Sequence, residues 1–104
     1  MNNFYVYFHI NPVKNSIFYV GKGKDDRAYD KTGRNRHWTN TVNKYGFIID
    51  IAHDNLTESD AFDLEAFYIK KIGRRDLGTG ILVNLTDGYE GHSNPSEEAR
   101  IKIG

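Results

Sequence analysis

Apolar and polar positions along the 104-residue chain fall into short, dense blocks separated by turn-forming residues. Phe4 to Ile10 is a run of aromatic and β-branched residues and Ser16 to Val20 is a second. Asn11-Pro12-Val13-Lys14-Asn15 between them is rich in turn formers, so the pattern predicts a β-hairpin. Gly21-Lys22-Gly23 is expected to end the second strand, and Asp25 to Lys31 to make a short helix stopped near Gly33. Trp38, Val42 and Tyr45 fall at i, i+4 and i+7 with Gly46 in the C′ place, which predicts an amphipathic helix of two to three turns. Phe47 to Ala52 reads as a buried third strand.

Thr57-Glu58-Ser59-Asp60 has a capping-box pattern and opens a helix expected to run to about Ile72 and to stop at Gly73. Its apolar residues Ala61, Phe62, Leu64, Phe67, Tyr68, Ile69 and Ile72 cover well over half the circumference, so the helix should be largely buried. After a loop from Gly73 to Gly80, Ile81 to Leu85 reads as a last short strand. From Gly88 onward the chain turns polar, and 92–104 is too short and hydrophilic to pack as a unit. The alternation of strands and helices predicts an α/β (α+β) class for one small domain over 1–91.

Composition narrows the function. There is no cysteine, which removes a disulfide framework, a Cys-based zinc site and a thiol nucleophile. Apolar runs are only a few residues long, and MNNFYVYFHI lacks a basic stretch followed by a long apolar core, so neither a membrane span nor a signal peptide is predicted. A cytoplasmic location is the expectation. Formal charge is zero overall but divided: residues 1–52 carry +4 and residues 53–104 carry −4. The basic excess lies in Lys22, Lys24, Arg27, Lys31, Arg34, Arg36 and Lys44, interleaved with His37, Trp38 and Tyr45. Such a segment can meet a phosphate backbone or form a solvated polar face.

A few residues break the local pattern. Glu65 sits one turn from Ala61, Phe62, Tyr68 and Ile69, inside the apolar stripe of its helix. A carboxylate there costs several kcal/mol in desolvation unless a cation, a metal or strong donors receive it, or it reaches water at the stripe's edge. Tyr5 and Tyr7 share one face of a strand, either as core or as hydroxyl donors around a ligand. Gly21-Lys22-Gly23-Lys24 fits neither the P-loop nor the dinucleotide pattern and marks a turn or the close approach of another chain segment. His9, His37, His53 and His92 show no i, i+4 pairing, and there is no G-x-S-x-G.

Taken in order, Tyr5-Val6-Tyr7, eleven intervening residues, Tyr19-Val20-Gly21, then Arg27, Glu65 and Asn84 resembles the GIY-YIG nuclease domain. The likeness covers about residues 4–91, with Tyr5 in place of the first glycine and valine for both isoleucines. FYVGKGKDDR is similar to a subgroup in which the arginine closely follows YVGKGK. The resemblance implies a small sandwich with a central three-stranded antiparallel sheet and Glu65 as ligand of one divalent ion. Carboxylate and water suit Mg2+ or Mn2+.

It also implies a metal-dependent endonuclease of double-stranded DNA, with no small-molecule cofactor and no membrane partner. Arg27 would pair with a phosphoryl oxygen, Tyr7 would position or deprotonate the attacking water, and Tyr19 would orient phosphate or water. His37 is an alternative base, since imidazole titrates near 6.5. Gly21 and Asn84 would support the site, Asn84 by hydrogen bonding around Glu65, while Lys22, Lys24, Lys31, Arg34, Arg36 and Lys44 would bind the nucleic acid. Residues 90–103 resemble the start of the helical DNA-binding repeats of homing endonucleases, which implies the catalytic module of a longer enzyme. The alternatives are a stand-alone repair or restriction nuclease, a non-catalytic nucleic-acid-binding module of the same fold, and a protein-interaction domain.

Overall fold

The computed structural model describes residues 2–88, so the 92–104 tail and its likeness to DNA-binding repeats lie outside the described residues. Strands β1 (Phe4–Asn11), β2 (Ser16–Lys24) and β3 (Ile48–Leu56) form one antiparallel sheet in the order β2-β1-β3. Helices α1 (Arg36–Tyr45) and α2 (Glu58–Ile72) complete an α+β fold, with short 3-10 turns at Arg27–Tyr29 and Arg75–Leu77. None of the described helices is long and apolar enough to cross a membrane.

Alternation along β1 sends side chains to two different cores. On one face Val6 joins Val20, Ala61, Ile69 and Leu82, with Phe8 packed against them and edge-on to Tyr68 of α2. On the other, Tyr5, Tyr7 and His9 look toward α1, where Phe18, Trp38 and Val83 make a second cluster with Tyr19, Val42 and Phe47. The hairpin turn is set by buried Asn11, whose Oδ1 accepts from the backbone N–H of Val13 (2.9 Å) and Lys14 (3.0 Å).

The helix signals map directly onto caps. Asn35 Oδ1 accepts from Trp38 N at 2.9 Å to open α1, Thr57 Oγ1 accepts from Asp60 N at 3.1 Å to open α2, and Gly46 and Gly73 close them. Other expectations need correction. The 25–31 helix is only the turn Arg27–Tyr29. The third strand is longer than 47–52 and is not buried: among the described residues it pairs on one side only, and Ile48 and Ile51 are exposed. In α2 only Ala61, Phe62 and Ile69 are fully buried, and Phe67 faces solvent, because the sheet covers one side of the helix alone.

Ile81 to Leu85 is no strand. It makes a single bridge, Leu82 with Arg74, and then crosses the outer edge of β2. There Val83 N donates to Phe18 O at 2.8 Å, and the Asn84 side chain continues the pairing. Its Oδ1 accepts from Val20 N at 3.0 Å and its Nδ2 donates to Val20 O at 2.8 Å, as a neighbouring peptide would. Arg74 holds this segment by bonds to Asp76, Asp87 and the Leu85 carbonyl.

Gly21-Lys22-Gly23 does not end β2, which runs on to Lys24. The register explains the glycines: Tyr7 faces Gly21 and Tyr5 faces Gly23. A Cβ on Gly21 would overlap the Cζ and hydroxyl of Tyr7, and one on Gly23 would lie 2.6 Å from the Tyr5 ring. Each ring lies across bare backbone. Replacing a strand glycine by alanine ordinarily stabilises a fold by reducing the entropy of the unfolded chain. At Gly21 the overlap reverses the sign, so G21A should lower the stability in urea unfolding by about 1–3 kcal/mol, the usual range for overpacking.

Candidate functional site

Three residues of β1 reach out from one face and fix the segment 25–34. The Tyr5 hydroxyl donates to Asp25 O at 2.7 Å and accepts from Ala28 N at 3.0 Å. His9 Nε2 lies 2.8 Å from Ala28 O. Between them, the Tyr7 hydroxyl accepts from Arg34 Nη1 at 2.7 Å. Arg34 spreads the rest of its guanidinium over the carbonyls of Asp30 (2.9 Å) and Arg27 (2.6 Å), with the rings of Tyr7, Tyr19 and Trp38 around it. The planar fork suits this task, since an ammonium cannot reach three acceptors in a plane.

His9 is fully buried, and its tautomer follows from its partners. The indole Nε1 of Trp38 is only a donor, so Nδ1 accepts from it at 2.9 Å and Nε2 carries the proton to Ala28 O. Burial, with smaller contributions from Arg34 and Arg27, pushes the imidazole down to about 4 against the pull of the Ala28 carbonyl.

A pocket of about 240 Å3 opens where Tyr7 and Tyr19 meet the β2 edge. Tyr7 and Tyr19 come from the two strands, Arg27 from the turn, Glu65 from α2, and Asn84 and Thr86 from the crossing segment; Gly21 and Lys22 complete the wall. Glu65 is half-buried there. Gly88 brings the backbone past it so closely that a Cβ would lie 3.3 Å from both Glu65 Oε1 and Ala66.

The Tyr7 phenol is pushed up to about 12, chiefly by burial and next by Tyr19, against the opposing pull of Arg34 and Arg27. It stays protonated at neutral pH. Because Arg34 already donates to its oxygen, the hydroxyl's own proton is left to be given. Lys22 is held at Glu58 (3.3 Å) above the Phe62 ring, and Arg27 donates to Thr32 O (3.1 Å) and lies 3.5 Å from Asp30.

The structure thus gathers Tyr7, Tyr19, Gly21, Lys22, Arg27, Glu65 and Asn84 in one place. Asn84's amide is bonded to the Val20 backbone, so its support runs through the strand edge. His37 is not in this group: it lines a separate recess with Arg75, Asp76, Val83 and Leu85. The basic segment is dispersed too. Lys24, Lys31 and Arg36 are exposed, Lys44 lies beside Tyr45 near the hairpin turn, and Arg34 points inward. Sequence reasoning assigned no role to His9 or Thr86 and left Tyr5 open between a core residue and a hydroxyl donor. For His9 and Tyr5 a signal existed, since both share the strand face of Tyr7. No protein-family model, curated protein or solved structure matches this chain.

Two outcomes follow from the polar contacts. An unfolded imidazole binds its proton near 6.5, well before the folded one at about 4. Stability from this group is therefore complete above about pH 6.5 and is lost as pH falls toward 4, to a total of about 3 kcal/mol. Urea unfolding at a series of pH values should show this loss, and H9Q should flatten it over the same window. R34K keeps the charge but not the fork, and should destabilise the fold by about 1–3 kcal/mol in the same assay.

Proposed function

We propose that this chain is a divalent-metal-dependent endonuclease that hydrolyses DNA phosphodiester bonds, a nuclease domain of the GIY-YIG kind working as the catalytic module of a homing-type enzyme. The observation that carries the reading is the one pocket in which Glu65, Arg27, Tyr7 and Tyr19 converge from four separate elements. These are the residue types that phosphoryl transfer needs: a carboxylate, a guanidinium and neutral hydroxyl donors.

The donor set fits one hard cation. Among the described residues no group of three or more His, Cys, Asp or Glu side chains is placed to hold a metal, and Glu65 is the only carboxylate lining the pocket. Magnesium is commonly held by one or two carboxylates, with water and substrate phosphate filling its other positions, and Glu65 would be that ligand. When bound, the ion supplies Lewis-acid stabilisation of charge on the phosphoryl and leaving oxygens.

The protein's own groups do the rest. Arg27 offers its guanidinium to a non-bridging oxygen, and the Arg34 bond to its carbonyl steadies the turn that carries it. Tyr7 gives its hydroxyl proton as a hydrogen bond to the phosphate or to the attacking water. With the phenol raised to about 12, it acts as a donor near neutral pH and not as the base that deprotonates water. Tyr19, 6.4 Å from Tyr7 between ring centroids, adds a second phenol for orienting the same group.

Nicking of supercoiled plasmid with and without magnesium tests this reading. E65Q, which keeps the side chain's size, should reduce nicking at least about 100-fold, the scale of losing one transition-state electrostatic partner. Y7F should cost about 100–1000-fold, in line with the loss of one such donor. A Y7F rate within a few-fold of wild type would make the phenol a packing group. DNA binding without any metal-dependent nicking would point instead to a nucleic-acid-binding module of the same fold.

A further inference from the structure

A second recess, about 410 Å3, opens at the hairpin end of the sheet. Three cations line it from three elements: Lys14 in the turn, Lys44 in the last turn of α1, and Arg75. Among the described residues no aspartate or glutamate lines it. Of the other described cations, Lys22 pairs with Glu58, Arg27 with Asp30, and Arg74 with both Asp76 and Asp87. Arg75 sits next to Asp76, yet that carboxylate is turned to Arg74. Lys14, Lys44 and Arg75 take part in none of these pairs.

The recess is also braced. Asn11 fixes the backbone at Lys14, and the Nζ atoms of Lys14 and Lys44 each stand 5.2 Å from the centroid of the Tyr45 ring. Gathering like charges without a counter-charge is unfavourable, and an anion reverses the sign. Ser16 and Asn40 add neutral donors to the wall. The chemistry selected is that of phosphate oxygens. Phe18, in this recess, and Gly21, in the Glu65 pocket, are separated along β2 by about 10 Å of strand. That distance is roughly three steps along a duplex axis, so one nucleic acid can reach both places.

We propose that this recess is a second phosphate-binding subsite, which holds backbone phosphates of the same nucleic acid whose scissile group enters the Glu65 pocket. The assignment of the strand rests on the nuclease reading; the anion chemistry of the recess does not.

The test is an amide NMR titration of the 15N-labelled chain in metal-free buffer, with a short DNA duplex and, separately, inorganic tripolyphosphate. The duplex should shift the amides of residues 11, 13–18, 40–45 and 75. Shifts there with tripolyphosphate alone would overturn the strand assignment in favour of a free-phosphate site, and no shifts with either probe would overturn the subsite. In fluorescence anisotropy, the exposed-residue variant K14A/K44A/R75A should reduce the salt dependence of duplex binding, lowering the slope of log K against log salt by roughly 2–3, at about 0.9 per lost contact. An unchanged slope also overturns it. A recess that binds duplex in a chain that never nicks DNA upholds the subsite and sinks the nuclease reading alone. Nicking with an unshifted recess does the reverse.

Discussion

Tyr5, Tyr7 and His9 stand in a row on one face of β1, and each has a polar tip that burial would penalise if it were left unpaired. All three bond to the same stretch of chain, residues 25–34, and the second ring nitrogen of His9 is taken by Trp38. That single requirement turns a polar, glycine-flanked connection into a fixed part of the molecule. Arg27 is carried by this stretch, and its carbonyl is one of the bonded groups. The guanidinium therefore reaches the pocket from a braced turn.

The pocket exists because β2 is bare where the rings lie. Gly21 and Gly23 let Tyr7 and Tyr5 lie over backbone, which brings a β1 hydroxyl to the outer margin of the sheet. On that margin the Asn84 amide substitutes for a fourth strand, so the chain continues past β2 toward Gly88 and Glu65. Contributions from both faces of the sheet meet here, the phenols from one side and Glu65 of α2 from the other. Burial does opposite work on the two titratable rings of the row: it keeps the imidazole of His9 unprotonated and the phenol of Tyr7 protonated, so both are neutral near pH 7.

Sequence reading recovered what local chemistry decides. The hairpin, both helices, the Thr57 cap and the closing glycines follow from residues that interact within a few positions of one another, as Thr57 does with Asp60 and Asn11 with Lys14, while the equally local Asn35 cap of α1 was not read. The antiparallel three-stranded sheet was expected from the resemblance and not from local chemistry, since β1 pairs with β3 through residues as distant as Phe4 and Leu56. Misreadings arose where the partner is distant in the chain. Gly21-Lys22-Gly23 has the composition of a turn, and only the register with Tyr7 and Tyr5 reveals a strand. Ile81 to Leu85 has the composition of a strand, and only the Asn84 amide shows how it meets β2 without becoming one. Glu65 was legible as a misfit on its helix, although the pocket leaves it half-buried and not sealed in the core. Arg34 was indistinguishable from its basic neighbours, since nothing nearby in sequence announces a phenol 27 residues away.

The sheet is asymmetric in one further respect. Its β2 margin is covered by residues 83–84, but among the described residues no strand pairs with the far side of β3, where Ile48 and Ile51 are exposed. Such a margin is a template on which a second copy can add a strand, the first step toward aggregation. Asp50 and Asp54 are exposed on that strand, so copies meeting there in antiparallel fashion bring carboxylates toward one another. The strand that adds no side chain to the pocket thereby carries charge that opposes edge-to-edge pairing.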